Sequence, residues 1–138
     1  MGQLNENKGT REDLARYRIT TAKEDLKAGQ ILLDADEYRG ANNRAYYAIF
    51  HAINAIHALD GNGYKRHKDA IANFNKQYVK TEIFPRELGR KFSKAEEIRH
   101  ASDYDDFYIA SKSEADNLIS IANEFIKLVE IYVDERLK

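Results

Sequence analysis

Apolar residues recur at three-, four- and seven-residue steps along most of the chain, a spacing that places them on one face of an α-helix. This pattern predicts helical segments over about residues 10–36, 38–59, 67–79, 85–102 and 113–136. The second segment is apolar nearly all round, which is typical of a helix in the middle of a domain. Its inner stripe consists of Ala45, Ala48, Ile49, Ala52, Ile53 and Ile56.

Residues near the ends of these segments support the predicted bounds. Thr10 followed by Asp13, and Ser113 followed by Asp116, fit the cap signals expected at the N-termini of the first and fifth segments. Pro85 stands near the first turn of the fourth segment, where its missing N–H costs little. The segments therefore have plausible starts as well as apolar faces.

No strand-like alternation of apolar and polar residues competes with this helical pattern. The sequence therefore predicts an all-α fold, an antiparallel bundle of four long helices plus one short helix. Residues 10–138 are expected to form one domain, and residues 1–9, which are polar, a flexible N-terminal tail. Gly29 lies inside the first helix, at a kind of position where glycine often permits a close helix approach.

Composition agrees with one small globular domain. The chain has 138 residues, 43% of them hydrophobic and 33% charged, and it has no cysteine. Disulfides and thiolate metal sites are thereby excluded, and a cytoplasmic location is expected. No apolar run reaches the length of about 18 residues that a membrane-spanning helix needs. A net charge of −1 argues against a globally basic nucleic-acid binder but leaves room for a local basic groove.

The common chemical motifs are missing from the sequence. It contains no phosphate loop, zinc-ligand spacing, nucleophile elbow or dinucleotide fingerprint. Its four histidines are scattered, without a pair four residues apart on one helix. We therefore expect neither a metal site nor a cofactor.

Arg44 and His51 form the first candidate site. They are seven residues apart and so lie on nearly the same face of the second helix. An arginine that stabilises a phosphate and a histidine that moves a proton could cooperate there. The alternative is structural: Arg44 pairs with a carboxylate, and His51 is a hydrogen-bonded packing residue.

The second candidate site begins at Arg99 and includes His100, Asp103 and Tyr104. An ion pair between Arg99 and Asp103, four residues apart, is its simplest explanation. The charge order of this helix is unusual, because its cations come early and its acidic residues late, the reverse of what the helix dipole favours. A partner, a dimer interface or an anion would explain that order; a solvated charged face is the alternative. The early cations are Arg86, Arg90, Lys91 and Lys94.

A third candidate is the basic run at residues 65–68, which contains His67 and opens the third helix. Cations at a helix N-terminus can meet a phosphate, and nearby tyrosines can stack on bases. Packing in the core and at its rim explains most of the nine tyrosines equally well.

Taken together, three segments resemble the HEPN domain family (higher eukaryotes and prokaryotes nucleotide-binding), and more narrowly its small stand-alone prokaryotic branch. The first segment is Arg-Ala-Tyr-Tyr-Ala-Ile-Phe-His-Ala at residues 44–52. The second is Lys-Arg-His-Lys at residues 65–68, leading to Phe74 and Val79. The third is Arg99 with Asp103 and Tyr104. The likeness covers about residues 11–135, with the segments in matching order.

The resemblance implies a bundle of four to five helices that usually forms a homodimer. Many members are metal-independent RNases, often toxins encoded beside a minimal nucleotidyltransferase antitoxin. Their motif is an arginine followed, after four to six residues, by a histidine, and two copies meet across the dimer interface. Arg99 matches the arginine, but Tyr104 stands where the histidine is expected, and His100 adjoins Arg99. The tyrosine that follows the histidine in some toxins would fall on Asp106.

Our leading hypothesis is a homodimer that binds RNA, a nucleotide or a nucleotidyltransferase partner near Arg99, Asp103 and Tyr104. Its RNase activity would be weak or absent, because proton transfer lacks the motif imidazole and a phenol with the ordinary pKa of about 10 is a poor base. One alternative is an active RNase that combines Arg99 with a histidine from elsewhere, which could be His51, His67 or His100. Another is a dimerisation or regulatory module without a ligand. The sequence leaves open whether the protein is an enzyme.

Overall fold

A computed structural model describes the backbone of residues 2–138 and the side chains from Thr10 onward. Its helices are α1 (Gly2–Asp34), α2 (Tyr38–Leu59), α3 (His67–Phe74), α4 (Leu88–Tyr104) and α5 (Lys112–Arg136), with a π-helical segment (Asn75–Val79) after α3. No strand occurs within residues 2–138, so the all-α prediction is confirmed. Met1 and the side chains of residues 2–9 lie outside the described part of the chain. The flexible tail expected over residues 1–9 therefore stays a prediction.

The central helix of the bundle is α2, as its all-round apolar pattern predicts. It packs against α1, α3, α4 and α5. All six residues of the predicted inner stripe are buried. Five alanines of α2 have no exposed surface at all, so their small side chains let the neighbouring helices approach closely: Ala41, Ala45, Ala48, Ala52 and Ala55.

An aromatic cluster forms part of the core. The rings of Phe92 on α4 and Phe125 on α5 have centroids 4.8 Å apart, and Phe74 on α3 lies 5.5 Å from Phe125. Phe84, in the connection before α4, is 5.3 Å from Phe74. These edge-to-face and tilted contacts stabilise the bundle beyond the burial of apolar area alone.

Gly29 permits the close approach that its position predicts. A Cβ atom at this residue would lie 2.7 Å from Cδ1 of Ile119 on α5 and 3.3 Å from Cβ of Arg44 on α2. The first distance is shorter than van der Waals contact, so a side chain here would displace Ile119. Glycine thus sits where α1, α2 and α5 come together.

The structure corrects several predicted helix ends. The cap of α5 is Ser111 and not Ser113, because Oγ of Ser111 accepts the hydrogen bond from the Glu114 N–H at 3.0 Å. Thr10 is not a cap, since α1 already runs through it. Pro85 lies outside α4, which begins at Leu88. Each correction concerns a residue type that fits more than one position at a helix end.

The third predicted helix is correct only in part, because it changes type after Phe74. From Asn75 the backbone forms a π-helical segment, in which the N–H of Lys80 donates to the carbonyl of Asn75 at 2.8 Å. The side-chain Oδ1 of Asn75 is buried and has no hydrogen-bond partner among the described residues. Such π-helical segments are rare and often lie at functional sites.

The loop between α4 and α5 is anchored from α2 by one arginine. Arg39 donates to the backbone carbonyls of Ser102 at 2.8 Å and Asp105 at 3.1 Å, and also to that of Tyr108. The Tyr108 hydroxyl donates to Glu114, and burial together with this carboxylate raises the pKa of Tyr108 to about 12. The backbone is therefore held in place although the loop carries exposed apolar side chains.

None of the described helices combines the length and the apolar character that crossing a membrane requires.

Candidate functional site

Arg99 lies near the C-terminal end of α4, with its side chain only 15% exposed. Its guanidinium stands over the ring of Tyr46 on α2, with Cζ 4.7 Å from the ring centroid. Its ion-pair partner is Asp103, but Nη1 and Oδ2 are 3.8 Å apart, which is too far for a hydrogen bond. Nε is buried and has no partner among the described side chains. Arg99 therefore has its contact with Tyr46 and one long ion pair, and a guanidinium with so few acceptors favours the binding of an anion.

Asp103 is held mainly by α2. Both of its carboxylate oxygens accept from Nδ2 of Asn43 at 3.1 Å. The other end of the same amide, Oδ1 of Asn43, accepts from Arg44 at 3.0 Å through Nε and at 2.6 Å through Nη2. The expected ion pair between Arg99 and Asp103 is thus the weaker of the contacts that Asp103 makes, and Asn43 connects the two candidate sites.

Arg44 and His51 both contact Asp25, a carboxylate on α1. Nη1 of Arg44 donates to Oδ1 of Asp25 at 2.9 Å, and Nε2 of His51 lies 3.5 Å from its Oδ2. Burial lowers the pKa of His51, although Asp25 acts in the opposite direction. The structural alternative for this pair is the one that the contacts favour, because Arg44 already has acceptors for Nε and both terminal nitrogens.

His67 lies at the first position of α3, close to Arg99. Its Nδ1 is 3.4 Å from the hydroxyl of Tyr46, and its ring centroid lies 3.9 Å from that of Phe50, with the two rings tilted by 32°. Burial lowers the pKa of His67, and the positive charge of Arg99 lowers it further. Tyr46 therefore contacts both Arg99 and a histidine that favours its neutral form.

His100 and Tyr104 lie on the outer side of α4. Their ring centroids are 5.0 Å apart, and Tyr104 is 67% exposed. Among the described hydrogen bonds, ion pairs and ring contacts, none joins Tyr104 to Arg99. Among the described contacts, the motif arginine and the residue that replaces the motif histidine thus have different partners.

A groove of about 670 Å³ runs between α3 and α4 beside Arg99. Charged side chains along it are the cations Lys68 and Arg99 and the carboxylates Glu96, Glu97 and Asp105. Asn75 and His100 add polar groups, and Ile71 forms part of its apolar lining. An open groove with an apolar wall and a few converging polar groups is the usual form of a ligand site. We call it the α3–α4 groove.

Sequence reasoning missed three residues of this site. Tyr46 lies in the most apolar stretch of the chain, where packing in the core is the simplest explanation of a tyrosine. Asn43 and Asp25 are single polar residues without a motif. Asp25 carries one readable signal, since it lies three residues after the buried Ala22 and hence at the edge of the inner face of α1. The residues that it pairs with could not be identified from spacing.

Within the described part of the chain, no three His, Asp or Glu side chains gather into a group that could hold a metal ion.

Comparison with known proteins connects this geometry to a family. The profile of the HEPN domain matches residues 15–132. A Thermotoga maritima protein named "UPF0332 protein" is 27% identical over 125 residues, which are 91% of this chain and 95% of that protein. A Methanocaldococcus jannaschii protein named "Putative toxin MJ0605" is 31% identical over 131 residues, 95% of this chain and 96% of that protein. A second protein of that organism, named "Putative toxin MJ0142", is 27% identical over 83% of this chain and 78% of its own length.

Proposed function

Because the chain belongs to the HEPN domain family, we propose that it binds RNA or a nucleotide through the α3–α4 groove, with Arg99 as the phosphate-binding residue. It would act in a toxin–antitoxin or defence-type module, a role that the names of two relatives support. RNase activity is weak or absent, since Tyr104 replaces the motif histidine and its described ring contact is with His100 and not with Arg99.

The observation that carries this proposal is the difference between two arginines. Arg44 donates to Asn43 and Asp25 at distances of 2.6 to 3.0 Å. Arg99 is more deeply buried and yet, apart from its contact with Tyr46, has only a 3.8 Å ion pair. Leaving a buried donor without an acceptor costs about 1–3 kcal/mol, so a guanidinium in this state favours an incoming anion. Its planar fork of donors fits the oxygens of a phosphate.

Binding of a labelled single-stranded RNA, followed by fluorescence anisotropy, tests the proposal. We expect Arg99→Ala to weaken binding about tenfold or more, as the loss of a charge-assisted contact implies. Arg16→Ala is the matched control, because Arg16 pairs with Asp134 on an exposed surface. Equal affinities of the wild type and Arg99→Ala, with circular dichroism showing both folded, would contradict the proposal. No binding of RNA or nucleotide by the wild type would favour the third hypothesis, a dimerisation module.

A second function has one specific observation in its favour: an RNase that uses Arg99 with His67. Both residues contact Tyr46, and His67 is a histidine whose pKa Arg99 lowers. A neutral imidazole near a phosphate-binding arginine suits general-base catalysis. RNA cleavage in the presence of EDTA that is lost in His67→Ala but kept in His51→Ala and His100→Ala would support this function. Undiminished cleavage by His67→Ala would exclude it.

We also propose that the protein forms a homodimer through the loop after α4. Phe107 and Ile109 are 94% and 86% exposed, although Arg39 holds the loop backbone. Burial of such side chains stabilises an interface at little cost in ordering. Light scattering should show a dimer for the wild type and a monomer for Phe107→Ser/Ile109→Ser. A wild-type monomer at micromolar concentration would contradict the proposal.

A minimal nucleotidyltransferase is the partner that the family resemblance favours, and the cytoplasm is the expected location. Co-purification with the product of a neighbouring nucleotidyltransferase gene would test the partner. The double variant Phe107→Ser/Ile109→Ser would then show whether the partner needs the dimer.

A further inference from the structure

The α3–α4 groove does not end at Arg99. A second groove of about 510 Å³ continues along α4 and shares three lining residues with the first: Asn75, Ser93 and Glu97. The two grooves follow α4 from Gly89 to Arg99, a distance of about 15 Å at the helical rise per residue. They form one continuous channel, with α4 on one side and α3 and the π-helical segment on the other.

Positive side chains line the second part of this channel. They are Lys80, Arg86, Arg90 and Lys94, and Glu97 is the one acidic residue among the lining side chains there. Their pairing is weak: Arg86 is 3.6 Å from Glu82 and Lys94 is 4.0 Å from Glu97, both on exposed surface. For Lys80 and Arg90, no ion pair is found among the described side chains. The second part of the channel therefore has an excess of positive charge, whereas the first part also carries the carboxylates of Glu96 and Asp105.

Cations near the N-terminal end of α4 do not stabilise this helix. The N-terminal end of a helix carries a partial positive charge, which favours acidic residues. The first turn of α4 has no acidic residue, and Arg90 and Lys91 follow within it. The charge order that stood out in the sequence is therefore locally unfavourable, and an anion lying along the channel would offset it.

We propose that this channel holds a single-stranded RNA whose phosphates follow α4 from Arg99 toward Arg86. The proposal rests on RNA binding at Arg99 and adds the form and path of the RNA. The channel follows α4 as one groove, so it suits the backbone of one strand and not the two backbones of a double helix. Because phosphate contacts carry no base information, binding is independent of sequence.

Replacing Glu97 tests the proposal in the opposite direction, because this change should strengthen RNA binding. The carboxylate of Glu97 lines both parts of the channel, between the cations and Arg99. A negative charge there repels the phosphates that pass it. Glu97→Gln should therefore bind RNA more tightly than the wild type, an effect that loss of structure would not produce.

The experiment measures anisotropy of a labelled RNA of about 12 nucleotides, within the usual range of single-strand sites, over a salt series. We expect Arg90→Ala/Lys94→Ala to weaken binding roughly tenfold and to reduce the slope of log K against log salt by about 1.4, or 0.7 for each lost contact. Lys112→Ala/Lys127→Ala removes two exposed charges from α5 and is the matched control. It should bind like the wild type. An RNA duplex of equal length should bind more weakly.

The outcomes separate this proposal from the one on which it rests. If Arg99→Ala loses affinity while Arg90→Ala/Lys94→Ala keeps both affinity and salt slope, RNA binds at Arg99 but not along the channel. If the control variant loses as much as Arg90→Ala/Lys94→Ala, attraction is not specific to the channel. Equal affinity for the duplex would overturn the single-strand form. If the wild type binds no RNA, both proposals fail.

Discussion

The carboxylate of Asp25 accepts a hydrogen bond of 2.9 Å from the guanidinium of Arg44. Asp25 belongs to α1 and Arg44 to α2, so the bond joins the two helices. The Asp25 side chain is only 14% exposed, and its second oxygen faces His51 at 3.5 Å. The arginine and histidine that have the spacing of a catalytic pair are thus both partners of one structural carboxylate.

Replacing Arg44 should therefore destabilise the fold. Arg44→Ala leaves the carboxylate of Asp25 without its main donor, and we expect a loss of about 1–2 kcal/mol in the free energy of unfolding. That is the lower part of the range for hydrogen bonds to charged groups, because Arg44 is partly exposed and solvent screens the pair. Urea denaturation measures the loss. The control is Arg66→Ala, which breaks an exposed pair with Asp69 and should leave stability nearly unchanged.

An unchanged unfolding midpoint for Arg44→Ala would mean that water replaces the arginine at Asp25 without cost. If Arg44→Ala instead lost RNA binding with unchanged stability, Arg44 would be an RNA-binding residue and not a structural one.

The same pair shows how far the sequence predicts this structure. Helical spacing identified α2 and its buried stripe, because periodicity depends only on neighbours along one helix. The partner of Arg44 could not be predicted, because Asp25 is on another helix and depends on how the two pack. Arg99 was found through a motif, but its under-pairing and its contact with Tyr46 follow from tertiary structure. The sequence therefore identifies the candidate residues, whereas their hydrogen-bond and ion-pair partners depend on the tertiary structure.

Two serines near the N-terminus of α5 can be compared as the cap of this helix. Ser111 and Ser113 are each followed by an acidic residue three positions later, so the sequence alone fits either as the cap. In the structure only Ser111 accepts the Glu114 N–H, at 3.0 Å. We expect Ser111→Ala to lower the free energy of unfolding by about 1 kcal/mol and Ser113→Ala to leave it nearly unchanged. Thermal or urea denaturation of both variants measures the difference, and a larger loss for Ser113→Ala would contradict the observed cap.

A buried histidine should make the protein less stable in mild acid. His57 is 1% exposed; its Nε2 donates to the carbonyl of Ala70 at 2.9 Å, and its Nδ1 has no partner among the described residues. Burial lowers its pKa below the ordinary 6.5, although the bond to Ala70 acts in the opposite direction. Protonation would place a second N–H where no acceptor lies.

The direction of this pH dependence follows from the number of protons that the native and the unfolded states bind. Between the lowered native pKa and 6.5, the unfolded chain binds a proton that the native protein does not, so stability rises with pH. It is lost as pH falls below about 6.5. Urea denaturation from about pH 7.5 to 5.5 should show this loss. His57→Gln, which keeps an amide donor but cannot titrate, should reduce it, whereas His100→Gln, at an exposed ring, should not. An unchanged pH dependence in His57→Gln would assign the loss to other groups.

Arg39 should control the loop that carries Phe107 and Ile109. Its guanidinium donates to three backbone carbonyls, at Ser102, Asp105 and Tyr108, a pattern that lysine cannot reproduce because its donors share one nitrogen. In Arg39→Ala we expect the amides of Phe107 and Tyr108 to exchange with deuterium about tenfold faster or more, since loss of one anchoring interaction of about 1.4 kcal/mol has that effect on local opening.

Hydrogen exchange followed by mass spectrometry measures this opening at a protein concentration low enough to keep the chain monomeric. Arg39→Lys should give an intermediate rate, and Arg66→Ala a rate equal to that of the wild type. The amides of α2 should be unaffected in all three variants, because the core does not depend on the loop. If Arg39→Ala exchanges at the wild-type rate, the loop is held by Asp105, whose Oδ1 accepts from the Phe107 N–H at 3.0 Å, and by the bond from Tyr108 to Glu114.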